Sequence, residues 1–360
     1  MKKLILFSAT CAASVYAGTI YTGTYQDTII AVDEAKGQVV GTIPISTGLP
    51  NGLTLSEDKK TLYVMSADNS GIDVVDLATR KVTNHFVLNT PTKRIRFDAR
   101  GVTDPQGKVL YTVTTEMNKL ADHYEIGKPK YTVIDLAAQK ISKTYDIAKE
   151  DELAIGGRGR ASLEISPDGK YLYHFGDKVL VIETSDFKVV DRIDLAKPDL
   201  PEMEDIGFGG QLDSIEEPGM HVSIFNSSDP IVHNRVFGIG RFDLTTRQMT
   251  FDPIGPAPSG MTGLQVTPDK THAYTVVTNG TLGNKRCEFW QFDMHSDRIS
   301  NTREFPCRSR FSFGMSGDGK KLYIYGAGFE IDVYDAATLQ FERTWDLQHD
   351  TTGGGLIVVP

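Results

Sequence analysis

The sequence predicts an all-β protein, a seven-bladed β-propeller that is closed by pairing of its N- and C-terminal strands. Two observations lead to this fold class. A unit of short strands and tight turns recurs seven times, and the last apolar segment has no partner within its own repeat. Four short antiparallel strands, repeated radially, make up the propeller architecture. No stretch has the sustained 3.6-residue periodicity of a helix.

The repeat is marked by an apolar residue followed by an acid at the end of an alternating strand. Successive acids are 43, 59, 48, 60, 50 and 42 residues apart, which is the size of a propeller blade with insertions. The seven instances are Val32-Asp33, Val75-Asp76, Ile134-Asp135, Ile182-Glu183, Phe242-Asp243, Phe292-Asp293 and Tyr334-Asp335.

A turn followed by a strand precedes most of these acids. Proline presets the first turn angle and glycine supplies a positive φ where the chain reverses, so the segment predicts a tight turn between two strands. The copies begin at Ser56, Asp104, Ser166, Thr267 and Ser316.

Closure of the ring is predicted from the two ends of the repeat. The first blade begins around Thr19-Ile20-Tyr21 and lacks its innermost strand, whereas the apolar segment Leu356 to Val359 stands alone after the seventh blade. Pairing of the two segments completes the first sheet and leaves no exposed edge.

The N-terminal residues have the layout of a secretory signal. Basic Lys2 and Lys3 precede an uncharged stretch, and Val15-Tyr16-Ala17 fits a signal peptidase site. We therefore expect residues 1–17 to be removed and residues 18–360 to form the propeller. Lipidation at Cys11 is the alternative. No later apolar run is long enough to span a membrane, and a net charge of −9 argues against nucleic-acid partners.

Cys287 and Cys307 remain after the signal segment is removed. An even number of cysteines in an exported chain favours a disulfide, here at one hairpin of the sixth blade. Two free buried thiols are the alternative. The eight histidines are scattered, which indicates no metal site, and no Cys-x-x-Cys-His motif for covalent haem attachment is present.

The long insertions are predicted to share one face of the ring. With strands A to D running outward, B–C and D–A connections lie on one face, and long loops on a rigid scaffold commonly bind partners. The predicted insertions are Glu116 to Lys130, Phe225 to Arg235, Asn279 to Arg286, Lys149 to Arg160, Ala196 to Gly210 and Pro253 to Gly263.

Within these insertions we single out six candidate binding residues and no catalytic residue. His123, Tyr124 and Glu125 join an imidazole, a phenol and a carboxylate in one loop, which suits acid–base or recognition chemistry; ordinary loop packing is the alternative. Arg158 and Arg160 offer two guanidiniums to an anion or a carboxylate, or else lie in solvent. His233 lies in the insertion of the fifth repeat.

The Pro-Asp-Gly-Lys turn followed by the apolar–acid step resembles the YVTN-type propellers of exported bacterial proteins. More specifically, the chain is similar to the β subunit of quinohaemoprotein amine dehydrogenase over most of its length. The similarity includes His123-Tyr124-Glu125 and the irregular stretch Pro198 to Arg241. This resemblance implies a periplasmic propeller without its own cofactor, beside a di-haem subunit and a small subunit that bears a quinone.

The sequence therefore leads to two functional expectations. The first is a non-cofactor-bearing subunit of an amine dehydrogenase-type complex, which docks partners through the insertion-rich face. The second is a stand-alone exported propeller that binds a ligand or a protein. An independent hydrolase or lyase has the least support, because no spacing of a nucleophile and a base is evident.

Overall fold

The computed structural model describes residues 18–25, 27–66, 71–99, 101–152, 162–176, 178–194, 204–208, 219–228 and 235–359. These residues form thirty β-strands in seven antiparallel sheets. Two single-turn 3₁₀ helices, Lys149–Asp151 and Leu282–Asn284, lie in connections between strands. Each sheet is one blade of a seven-bladed propeller, as predicted.

Blades 1 to 4 take up the first half of the chain, and the strands of each blade follow from the innermost outward. Blade 1 consists of β30 (Leu356–Val359), β1 (Thr19–Thr24), β2 (Thr28–Asp33) and β3 (Gln38–Pro44). Blade 2 consists of β4 (Pro50–Leu55), β5 (Thr61–Ser66), β6 (Gly71–Asp76) and β7 (Lys81–Val87). Blade 3 has a divided innermost strand and consists of β8 (Lys93–Phe97), β9 (Val102–Thr103), β10 (Val109–Lys119), β11 (Tyr124–Asp135) and β12 (Lys140–Asp146). Blade 4 consists of β13 (Ser162–Ile165), β14 (Tyr171–Phe175), β15 (Lys178–Glu183) and β16 (Val189–Asp194).

Blades 5 to 7 follow the same plan. Blade 5 consists of β17 (Glu204–Phe208), β18 (Met220–Ser228), β19 (Arg235–Asp243) and β20 (Met249–Pro256). Blade 6 consists of β21 (Gly260–Met261), β22 (Gln265–Val266), β23 (His272–Asn279), β24 (Arg286–Asp293) and β25 (Arg298–Phe305). Blade 7 consists of β26 (Ser312–Met315), β27 (Lys321–Tyr325), β28 (Glu330–Asp335) and β29 (Phe341–Asp346).

The two ends of the chain close the ring as predicted. The innermost strand β30 pairs antiparallel with β1, with Ile357 opposite Tyr21 and Val358 opposite Ile20. A second link across the closure comes from Glu34 in the C–D turn of blade 1. Its carboxylate accepts hydrogen bonds from the Gly18 N–H at 2.9 Å and from the Gly317 N–H at 3.1 Å. The Tyr323 hydroxyl of blade 7 donates a third bond at 3.0 Å.

The hydrophobic core lies between the blades rather than at the centre of the ring. Between blades 7 and 1, Tyr323 and Trp345 pack against Ile20 and Val358. Comparable clusters of buried apolar side chains occupy the other six junctions of neighbouring blades. Every blade is therefore held by both of its neighbours, which is what a closed ring requires.

The acid of the repeat has a structural explanation. In all seven blades it is the last residue of the third strand. In six blades the carboxylate accepts a hydrogen bond from a backbone N–H two or three residues further on, which fixes the turn. These six acids are Asp33, Asp76, Asp135, Asp243, Asp293 and Asp335.

The predicted A–B turns are also confirmed. Gly107, Gly169 and Gly319 have φ between 64° and 72°, and Lys59 and Lys270 occupy the same place at φ 56° and 59° without glycine. Four of the turns share a further contact, in which a hydroxyl donates to the carboxylate two residues later. These contacts are Ser56 to Asp58, Ser166 to Asp168, Thr267 to Asp269 and Ser316 to Asp318.

The B–C and D–A connections emerge on one face, the long-loop face, and the A–B and C–D connections emerge on the short-turn face. Two predicted D–A insertions have wrong bounds. Pro253 to Gly263 includes the end of β20 and the innermost strand β21 (Gly260–Met261). The range Ala196 to Gly210 is not a single D–A loop, because strand β17 (Glu204–Phe208) lies within it as the innermost strand of blade 5. The chain between β17 and β18 is therefore an A–B connection, which belongs to the short-turn face, where blades 2, 3, 4, 6 and 7 have five-residue turns. The long connections are not confined to one face.

Candidate functional site

The first insertion is a β-hairpin and not a loop. Strands β10 and β11 continue past the body of blade 3, so that Tyr124 lies opposite Lys119 and Glu125 lies opposite Asn118. His123 is in the turn between them. We expected one loop to hold His123, Tyr124 and Glu125, but the last two begin strand β11.

The hairpin does not bring these three side chains together. Consecutive strand residues point to opposite faces, so the phenol of Tyr124 and the carboxylate of Glu125 lie on opposite sides of the sheet. The imidazole Nδ1 of exposed His123 lies 2.7 Å from Oδ1 of Asp122. The Arg94 guanidinium lies 6.0 Å from the centre of the Tyr124 ring. The side chains of Tyr124 and Glu125 therefore do not converge on one point.

The other three candidates, Arg158, Arg160 and His233, lie outside the described residues. The same holds for the expected signal segment 1–17 and for Cys11.

Large apolar side chains are exposed at two places on the long-loop face. Tyr25 and Phe329 lie in the B–C connections of the adjacent blades 1 and 7. The backbone of the segment 347–350 links them, because the Tyr25 N–H donates to the Asp350 carbonyl and the Leu347 N–H donates to the Phe329 carbonyl. The second place comprises Val87 of blade 2 and the blade 3 hairpin, whose Ile126 is 65% exposed. The six exposed side chains, which together form the rim patch, are Tyr25, Val87, Leu120, Tyr124, Ile126 and Phe329.

A buried carboxyl–imidazole pair between blades 4 and 5 was not predicted from the sequence. Nδ1 of His221 on β18 lies 3.3 Å from Oε1 of Glu164 on the innermost strand β13. The His221 ring is fully buried and stacks on Phe175 with ring centres 4.1 Å apart. Burial raises the pKa of Glu164 and lowers the pKa of His221, so the neutral forms of both are favoured. Nothing in the alternating segment Leu163 to Ile165 distinguishes Glu164 from an ordinary strand acid.

A second buried histidine lies on the other side of blade 4. Nδ1 of His174 is 2.8 Å from the Tyr131 hydroxyl, and its Nε2 has no hydrogen-bond partner among the described residues. Burial lowers the pKa of His174 to about 4 and raises that of Tyr131. His174 and Phe175 are consecutive in β14 and point to opposite neighbours. The two histidines therefore belong to two junctions and do not form one site.

The predicted disulfide is confirmed. Cys287 at the start of β24 is bonded to Cys307, just beyond the end of the paired strand β25, so the bridge lies at the long-loop end of one hairpin. A shallow depression of about 430 Å³ lies beside it, lined by Lys285, Arg286, Glu304, Phe305, Pro306 and Cys307. In the described part of the chain, no group of three or more His, Cys, Asp or Glu side chains is placed to hold a metal ion.

Solved structures share the fold with this chain at low sequence identity. AztD from Citrobacter koseri, in its apo form, is 14% identical, with 96% of this chain and 98% of that chain covered and a TM-score of 0.56. The periplasmic gluconolactonase PpgL of Pseudomonas aeruginosa is 13% identical, with 95% and 99% covered and a TM-score of 0.55. Dihydro-heme d1 dehydrogenase NirN, in complex with DHE, is 14% identical, with 94% and 75% covered and a TM-score of 0.53.

At these identities the likeness shows the fold alone. No model of a protein family matches the sequence, and no curated protein matches it. None of the helices in the described ranges has the length and hydrophobicity needed to cross a membrane.

Proposed function

We propose that this chain is an exported propeller that binds partner subunits through its long-loop face, within a periplasmic complex of the quinohaemoprotein amine dehydrogenase type. The observation that carries the proposal is the rim patch. Six large apolar side chains are exposed at the long-loop end of blades 1, 2, 3 and 7. On the rest of the described surface, the exposed large apolar residues lie singly on outermost strands, near the short-turn end, whereas Val87 of the rim patch is at the long-loop end of its strand. These residues are Val40, Val190, Ile299 and Phe341.

Apolar and aromatic side chains at the rim of a rigid scaffold suit protein recognition. Tyrosine and phenylalanine bury large areas on binding and are enriched at the centres of protein interfaces. Apolar exposure concentrated on one face marks an interaction surface more strongly than the same residues scattered singly.

The amine dehydrogenase assignment is supported by the sequence resemblance and by the secretory layout of residues 1–17. In this proposal the quinone and the haems are held by the partner subunits, and this chain holds no cofactor. Its contribution is to position the di-haem subunit and the quinone-bearing subunit relative to one another.

The test is isolation of the affinity-tagged chain from the periplasm of the organism that encodes it. We expect two further subunits, an absorption spectrum of c-type haem, and amine-dependent reduction of an artificial electron acceptor by the complex. The chain purified alone should not reduce the acceptor. Recovery as a lone chain, without haem, would support a stand-alone propeller instead. Amine oxidation by the chain alone would contradict the non-catalytic assignment.

A matched pair of variants tests the long-loop face. Substituting Tyr25, Tyr124 and Phe329 by Asp places charges on the rim patch and should reduce recovery of the haem subunit at least tenfold. The control substitutes Val40, Val190 and Phe341 by Asp on the outermost strands and should leave recovery unchanged. Equal recovery with both variants would contradict docking through this face.

A further inference from the structure

The blade 3 hairpin has a strand edge that is not covered by another strand. On its inner side, β11 pairs with β10 from Tyr124 onward. On its outer side, β11 pairs with β12 only from Lys130, which lies opposite Asp146. Among the described residues, the outer edge of 124–129 therefore has no strand partner. An open edge of this kind is a template for an added strand.

Two hydrogen bonds show which backbone groups point outward along this edge. The Leu120 N–H donates to the His123 carbonyl at 2.8 Å, so these two residues are a hydrogen-bonded pair of the hairpin. The Lys119 N–H donates to the Thr92 carbonyl at 2.8 Å, away from β11. Bonded and non-bonded pairs alternate along an antiparallel ladder. The N–H and C=O of Tyr124, opposite Lys119, therefore point away from β10.

Ile126 repeats this orientation two residues further along. It lies opposite Met117, and the ladder is regular between Tyr124 and Ile126. Two N–H groups and two C=O groups are thus presented outward, about 7 Å apart along the strand. Pro129, which lacks an N–H, limits the edge at its far end. The edge accommodates a segment of about five residues.

The side chains on one face of this edge combine apolar groups with positive charge. Tyr124 and Ile126 share a face with their cross-strand neighbours Lys119 and Met117, and Arg94 of β8 lies opposite Met117. Within the described part of the chain, neither Arg94 nor Lys119 forms a salt bridge, whereas neighbouring Lys93 is paired with Glu116 at 2.9 Å. The chain as a whole has a net charge of −9, so this is a local reversal of sign.

We propose that the edge of 124–128 binds an extended segment of a partner protein in which every second residue is acidic, so that the acidic side chains share the face of Arg94 and Lys119. The added strand would bond to the outward N–H and C=O groups of Tyr124 and Ile126. Its carboxylates would lie near Arg94 and Lys119. This inference rests on the proposed docking through the long-loop face, and it names the chemistry of the segment that docks.

Charge argues against a second copy of this chain as the occupant. Two identical edges paired antiparallel about a two-fold axis perpendicular to the sheet place the same side chains on the same face. Arg94 and Lys119 of both copies would then lie on the same face of one continuous sheet. An acidic segment removes this repulsion and pairs both cations.

The probe is a fluorescein-labelled peptide of eight residues that alternate valine and glutamate, added to the full exported chain. We expect its dissociation constant to be at least tenfold lower than that of the matching valine–lysine peptide. Hydrogen exchange provides the second measurement. The Tyr124 and Ile126 amides should exchange at least tenfold more slowly when the peptide is bound, whereas the Glu125 amide, which points toward β10, should already be protected in the free chain.

Two substitutions at one position separate backbone pairing from side-chain contact. Ile126→Pro removes an outward N–H that makes no bond within the hairpin and should weaken peptide binding at least tenfold, with the thermal midpoint unchanged. Ile126→Ala keeps the N–H and should weaken binding about threefold. Equal effects of the two variants would overturn the inference. So would equal binding of both peptides, or protection of the same amides by dimerisation without peptide.

Different results would contradict strand addition at this edge and docking through the long-loop face. If Ile126→Pro still recovers the haem subunit while the triple rim-patch variant does not, docking through the face stands and strand addition at this edge is wrong. If neither variant affects recovery, docking through the long-loop face is itself wrong.

Discussion

The side chains of Glu164 and His221 form a polar contact inside a junction of aromatic and aliphatic side chains. Tyr173, Phe175 and Phe242 surround this side of blade 4, and low polarity there disfavours both carboxylate and imidazolium. Burial therefore favours the neutral acid and the neutral imidazole. An ion pair would need further charge-assisted bonds to offset the desolvation of two charges.

This neutral pair leads to a prediction about pH. The pKa of Glu164 is raised from 4.5, so its contribution to stability falls as the pH rises above that value. The pKa of His221 is lowered from 6.5, so its contribution falls as the pH falls below that value. Between pH 4.5 and 6.5 each group changes the free energy of unfolding by up to about 1.4 kcal/mol per pH unit, and the two changes have opposite signs. The wild-type pair should contribute little net pH dependence in this interval.

Substituting either residue should reveal the pH dependence of stability that the other one contributes. Relative to wild type, Glu164→Gln should lose stability as the pH falls from 6.5 to 4.5, and His221→Gln should lose stability as the pH rises through the same interval. Urea midpoints at pH 4.5, 5.5 and 6.5 measure both slopes, with a difference of about 2 kcal/mol across the interval. Slopes parallel to wild type in both variants would mean that the pair is ionised.

Residue types at turns were predictable from the sequence, whereas buried polar contacts were not. Asp33 and its counterparts are followed by turns because an aspartate carboxylate can accept from a backbone N–H two residues later, which is a local effect. The contact between Glu164 and His221 joins residues 57 positions apart in different blades. No local pattern encodes such a contact, because it depends on how the blades pack.

At the scale of elements, strand positions were predicted well and insertions less so. The hairpin over Glu116 to Lys130 was expected as a loop, but its residues continue the ladder of β10 and β11 past a bulge at Glu116. The mixed composition of this segment hides its strand character, because both of its faces are exposed. In blade 5, the short strand Glu204–Phe208 carries no repeat signal of its own.

The hairpin of blade 6 gives the prediction at this scale. Cys287 and Cys307 are separated by 20 residues, and a bridge that closes such a loop contributes about 3 kcal/mol in the chain-entropy model. The double variant Cys287→Ala/Cys307→Ala should lose about that amount in urea unfolding. Wild type refolded in reductant should match the variant, and reductant should not affect the variant further. A variant as stable as oxidised wild type would contradict a structural role for the bridge.

At the scale of the whole molecule, the number of blades and the closure were both readable from the sequence. Each apolar–acid step ends the third strand of a blade, so seven steps indicate seven blades. The solitary segment Leu356 to Val359 indicated the partner of β1, because a closed ring must pair every inner edge. The contacts of Glu34 with Gly18, Gly317 and Tyr323 were not predictable, since they form only once blades 7 and 1 are adjacent.

Closure leads to the last prediction. Removing residues 356–360 withdraws the buried side chains of Ile357 and Val358 and exposes the edge of β1. Burial of these two side chains contributes about 3 to 6 kcal/mol. The truncated chain should unfold at a lower temperature than wild type and should aggregate, because an open inner edge is available for pairing with other chains.

A permuted chain shows whether closure, and not chain length, is responsible. Val359 lies opposite Thr19, so the end of β30 is adjacent to the start of β1. In the permuted chain, residues 355–359 are moved in front of Gly18 and joined to it by a five-residue turn, like the turn between Leu55 and Thr61 in blade 2. The pairing of β30 with β1 is kept, but the chain has new ends. This variant should recover the wild-type thermal midpoint, which differential scanning calorimetry would measure. If it unfolded like the truncated chain, the pairing of β30 with β1 would not be what stabilises the ring.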